Sequence, residues 1–122
     1  KAGNLYLRGR VKDVIIRGGQ TIYPKEIEEL LVEHPMVSEA ALVRMPDPEM
    51  GEKACAFVVA KEGASFTFEE MVSFFKERQL GPYKIPERLE EVEELPLVPG
   101  GNKINKRELE ERLKAALESE AT

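Results

Sequence analysis

Between Gly9 and Glu28 the chain reads GRVKDVIIRGGQTIYPKEIE, and this stretch most narrows what it can fold into. A charged pair, Lys12-Asp13, stands at a turn position. The β-forming run Val14–Arg17 follows, then Gly18-Gly19, a second short apolar segment, and a helix opened by Pro24. Glycine permits positive φ and so breaks a strand. Proline fits the first helical turn, where its missing N–H does no harm. A second segment, LPLVPGGNKINKREL from Leu95 to Leu109, sets a lysine in a glycine-rich loop.

The rest of the chain supplies a framework for them. Leu5–Arg8 and Val14–Arg17 read as two short strands joined by a charged turn. Ile27, Leu30, Leu31 and His34 recur at helical spacing opposite Glu26, Glu28, Glu29 and Glu33, and Pro35 ends that helix. Val37–Met45 reads as a strand, Pro46-Asp47-Pro48 as a turn, and the apolar run Ala54–Ala60 as a central strand. Thr67 and Glu70 form a capping box ahead of the stripe Phe68, Met71, Val72 and Phe75. Arg88–Val92 is a further strand. Asn105 with Glu108 opens a last helix, striped by Leu109, Leu113, Ala116 and Leu117, with a frayed tail after Glu118. The expected fold is α+β: a small mixed sheet with three packed helices, preceded by a short β-hairpin.

Size and charge exclude several classes of function. One domain, 1–122, is expected from 122 residues, and 42% hydrophobic content is enough to fill its core. A net charge of -5 argues against nucleic-acid binding. No apolar run reaches the length of a membrane span. Cys55, alone in ACAFVVA, reads as a buried thiol and fits a reducing cytoplasm. His34 is the one histidine, no cluster of metal ligands is present, and no serine or cysteine has a histidine partner in view. The chain enters at Gly3-Asn4-Leu5-Tyr6-Leu7 as a strand already in progress, which reads as a piece of a longer protein.

Taken singly, the candidate residues allow two readings each. Lys103 follows Pro99-Gly100-Gly101-Asn102. It is either a solvated lysine in a surface turn or a mobile cation for a phosphate or carboxylate. Lys106 reads as a solvated helix residue. Arg17-Gly18-Gly19-Gln20 is a tight hairpin turn or a backbone ledge for a ligand. Arg10 is a surface ion-pair partner or a contact for ribose or phosphate.

Four segments carry a resemblance over nearly the whole chain: GRVKDVIIRGGQTIYPKEIE, HPMVSEAALVRMPDPEMGEKACAFV, YKIPERLEEVEELP and GNKINKREL. In this order and spacing the chain resembles the C-terminal domain of the adenylate-forming enzymes, the acyl- and aryl-CoA ligases, peptide-synthetase adenylation domains and luciferases. The resemblance implies a lid that rotates between two half-reactions. A carboxylic acid attacks the α-phosphate of ATP, with Mg2+, and a thiol of CoA or of a carrier protein's phosphopantetheine then displaces AMP. By position, Lys103 resembles the adenylation lysine, and Lys103-Ile104-Asn105-Lys106 favours it over Lys106. Asn102 stands where the family has glycine. Lys12, with Asp13, matches the hinge, and Arg10 matches a nucleotide contact near the ribose. Arg17, Gly18 and Gly19 match the loop of the thiol step. The lysine at the hinge, with RGG and YKIP, is more similar to aryl-acid and medium-chain acyl ligases than to acetyl-CoA synthetases.

The expected partners are the protein's own N-terminal domain, the acid, and CoA or a carrier protein, with ATP and thiol bound only by the complete enzyme. The rival reading is a non-catalytic interaction module that keeps the fold. A stand-alone nucleotide-binding protein is disfavoured by the lack of a second phosphate loop. An upstream Ser/Thr/Gly-rich ATP loop in the parent reading frame discriminates the ligase from the module.

Overall fold

The computed structural model describes residues 14–101 and 103–121. Strand β1 (Ile15–Arg17) pairs antiparallel with β2 (Gln20–Ile22), with Ile15 opposite Ile22 and Arg17 opposite Gln20. The two residues between them, Gly18 and Gly19, have φ of 55° and 87°. Paired left-handed residues match the twist of a two-residue hairpin, and glycine takes them without strain. The hairpin thus closes across the double glycine. The other expected hairpin strand, Leu5–Arg8, lies outside the described residues.

Helix α1 (Pro24–Val32) starts on its proline and buries Ile27 and Leu31. Strand β3 (Val37–Asp47) then pairs antiparallel along its length with β4 (Gly51–Ala60). The turn comes later than the sequence suggests, because β3 runs through Pro46 and Asp47. As the outermost of the described strands on that side, it can hold a proline without losing a ladder bond. The Asp47 carboxylate closes the turn by accepting from the N–H groups of Glu49 and Met50, at 3.0 and 2.8 Å.

The capping box of α2 (Phe68–Glu77) is present in both halves. Thr67 Oγ1 accepts from the Glu70 N–H at 3.1 Å, and Glu70 Oε1 accepts from the Thr67 N–H at 2.8 Å. Met71 and Phe75 are buried, whereas Phe68 is 40% exposed, so the buried stripe is narrower than its spacing implies. The crossover through α2 brings in β5 (Arg88–Glu91) parallel to β4, with Cys55 opposite Arg88. Since β3 occupies one edge of β4, β1 and β5 share the other. The last element is α3 (Lys106–Ala121), where Asn105 Oδ1 accepts from the Glu108 N–H at 3.1 Å. The helix continues to Ala121, and Arg88 grips Glu120 through two bonds of 3.0 and 2.5 Å.

Alternation along β3 and β4 divides the core. Ala40, Leu42, Ala54, Ala56 and Val58 face α1 and α2, and Ala41, Val43, Met45, Cys55 and Phe57 face α3. Among the described residues the sheet therefore lies between two helices on one side and one helix on the other.

Candidate functional site

Lys103 stands at the end of a short ribbon that leads into α3. Leu97 and Ile104 form an antiparallel bridge, Val98 N–H donates to the Lys103 carbonyl at 2.8 Å, and Asn105 N–H donates to the Pro96 carbonyl at 2.8 Å. The loop turns at Gly100, whose φ is 75°. Ile104 packs against the apolar cluster under α3. The backbone of Lys103 is thus tied on both sides while its side chain is exposed. Among the described residues no side chain pairs with its ammonium.

Lys106 is different, and the solvated reading of it does not hold. Its side chain is 24% exposed, and its Nζ lies 2.6 Å from Glu28 Oε2 on α1. The same carboxylate oxygen accepts from the Leu42 N–H at 2.8 Å, on the outer side of β3. Glu28 is thus engaged at both a side chain and a backbone group, although it lies among the glutamates opposite the apolar stripe. Its position one residue after Ile27 and three before Leu31, at the margin of the buried stripe, is the sequence signal that could have singled it out.

The Arg17-Gly18-Gly19 loop projects at the tip of the β1–β2 hairpin. Gly18 N–H donates to the Met50 carbonyl at 3.0 Å, and a Cβ on Gly18 would come within 2.6 Å of Met50 Sδ. A Cβ on Gly19 would meet nothing within 4 Å. Gly18 is therefore the packed glycine and Gly19 the open one. Arg17 is not a loose cation, because its guanidinium pairs with Glu87, whose other oxygen accepts from the Ala54 N–H at 3.1 Å. Arg17 thereby fastens the hairpin to the segment entering β5. Arg10, Lys12 and Asp13 lie outside the described residues.

His34 is a packing residue here. Its ring lies 4.6 Å from that of Phe66 and 4.9 Å from that of Phe74, and its Nδ1 accepts from the Met36 N–H at 3.1 Å. Among the described residues, no three His, Cys, Asp or Glu side chains form a group able to hold a metal, and no helix is long and apolar enough to cross a membrane.

Residues 26–102 match the family model of the AMP-binding enzyme C-terminal domain. The chain belongs to that family. The matched segment stops one residue before Lys103, so the place of this lysine rests on the GNKINKREL motif and the loop geometry. This AMP-binding C-terminal domain is similar to a medium-chain fatty-acid–CoA ligase of Escherichia coli, at 41% identity over 87% of this chain and 19% of that protein. It is likewise similar to a 2,3-dihydroxybenzoate-AMP ligase of Bacillus subtilis, at 40% identity over 94% of this chain and 21% of that protein. Among solved structures, a fatty acyl CoA synthetase of Mycobacterium tuberculosis superposes with a TM-score of 0.77 at 38% identity, over 87% of this chain and 20% of that one. The chain thus spans about a fifth of the length of these relatives.

Proposed function

We propose that this chain is the mobile C-terminal lid of an AMP-forming acid–thiol ligase, and that Lys103 is its adenylation cation. The exposure of Lys103 is the observation that carries the reading. The backbone around this ammonium is fixed and, among the described residues, no side chain pairs with it, while its neighbour Lys106 is already paired with Glu28.

The chemistry calls for such a group. In the first half-reaction a carboxylate oxygen attacks the α-phosphorus of ATP, and pyrophosphate leaves. Two unit negative charges about 4 Å apart repel by roughly 4 kcal/mol near a protein surface. A placed ammonium offsets that repulsion and the charge that grows on the phosphate oxygens, an effect worth roughly 3–4 kcal/mol. Mg2+ with the ATP would add further positive charge. In the second half-reaction a thiol sulfur attacks the acyl carbon of the adenylate, and AMP leaves. The lid would turn about Lys12-Asp13 between the two steps, with Arg10 near the ribose. The Arg17-Gly18-Gly19 hairpin would then face the thiol, and the open side of Gly19 would leave room for a pantetheine arm of CoA or of a carrier protein.

The acid would be chosen elsewhere in the complete protein. Relatives named for a fatty acid and for 2,3-dihydroxybenzoate match this chain about equally well, at 41% and 40% identity. The work would be done in the cytoplasm, against the protein's own N-terminal domain.

The test is Lys103→Ala in the complete protein. Pyrophosphate exchange should fall about 100- to 1,000-fold, while thioester formation from supplied acyl-adenylate stays near the wild-type rate. Equal loss in both half-reactions would remove Lys103 from its assigned role. No loss in either would favour the interaction module.

A further inference from the structure

We propose that Glu28 and Lys106 form a positioning pair that holds Lys103 in place for adenylation without touching the substrate. The proposal rests on the reading of Lys103 given above.

Glu28 is the fixed end of the pair. It sits on α1 beside Ile27 and Leu31, both fully buried, and its Oε2 is held by the Leu42 N–H at 2.8 Å. Lys106 reaches that same oxygen at 2.6 Å. Since Lys106 is the first residue of α3, the pair clasps the start of that helix to the outer strand of the sheet. The link to Lys103 is short. Only Ile104 and Asn105 intervene, one bridged to Leu97 and the other bonded to Pro96. A shift at Lys106 would therefore pass to the Lys103 backbone with little slack.

Two arguments favour positioning over simple attachment. Leu109 and Leu113 already bury α3 against the sheet, so holding the helix does not require the pair, whereas aiming one ammonium at a reacting phosphate does. A misplacement of about 1 Å can cost on the order of 100-fold in rate. Lys106 is also a second cation, three residues after Lys103. Its engagement by Glu28 leaves Lys103 as the ammonium offered to the anion.

The experiment uses the complete ligase and both half-reactions. Glu28→Gln keeps an acceptor for the Leu42 N–H but removes the charge that holds Lys106. Adenylation should fall roughly 10- to 100-fold, with thioester formation from supplied acyl-adenylate unchanged. Lys106→Met, which keeps most of the stem, should behave likewise, and Lys106→Arg should retain most of the adenylation rate. In a Lys103→Ala background Glu28→Gln should add no further loss, because residues acting as a unit are non-additive. A purely structural pair would slow both half-reactions alike, or would lower Lys103→Ala by its full factor again, and either result overturns the proposal. If Lys103→Ala abolishes adenylation but Glu28→Gln and Lys106→Met do not slow it, the pair has no positioning role and the function stands. If Lys103→Ala itself leaves adenylation intact, both fall together.

Discussion

Cys55 lies at the centre of β4 with no exposed surface, and burial pushes its thiol up to about 12 from an ordinary 9.0, with Glu90 adding to the rise and Arg88 opposing it. In the unfolded chain the thiol loses its proton near pH 9, and in the native chain it keeps it to about pH 12. Between these values the native state binds more protons. Its contribution to stability is therefore full below pH 9 and declines above it, by at most about 1.4 kcal/mol per pH unit. Urea denaturation between pH 8 and about 10.5 should show the wild type losing stability more steeply than Cys55→Ala. Parallel curves would rule out the burial account. At this scale the burial of Cys55 was legible from its apolar run. The pairing of Lys106 was not, because Glu28 lies on a helix far away in the chain, and only the folded sheet brings its carboxylate to the start of α3.

Helix α3 alone among the described helices covers the sheet face built by Ala41, Val43, Met45, Cys55 and Phe57. Leu109 is its fully buried contact, and Leu109→Ala should cost about 2–5 kcal/mol, through lost transfer energy and the cavity left behind. Chemical denaturation of the domain would measure it, and a cost well under 1 kcal/mol would mean that α3 is not fixed by that contact. The elements themselves were largely readable. Pro24 and the Thr67/Glu70 pair mark helix starts, and Ala54–Ala60 marks the central strand, because these signals act within a few residues. The passage of β3 through Pro46 was not readable, since a proline is tolerated there only on an outer strand, and strand order is a property of the assembled sheet. The continuation of α3 past Glu118 depends likewise on Arg88, which meets Glu120 from across the fold.

On the scale of the whole molecule, the lid reading requires motion between the half-reactions. Lys12 lies outside the described residues, so its hinge role rests on the motif alone. Lys12→Pro in the complete protein would fix φ near -65° and remove an N–H. Overall turnover should slow more than the half-reaction that needs a single lid orientation, and unchanged rates in both half-reactions would place the hinge elsewhere. The sequence by itself determined the family, the helix starts, the central strand and the candidate lysine, because caps, periodicity and ordered motifs are properties of neighbouring residues. Only the tertiary structure decided that α1 and α2 share one face while α3 takes the other, that the double glycine closes the hairpin, and that Lys106 is bound by Glu28 while Lys103 pairs with no side chain among the described residues. The physical reason is distance along the chain. Which carboxylate reaches which ammonium depends on surfaces that meet only once the sheet has formed.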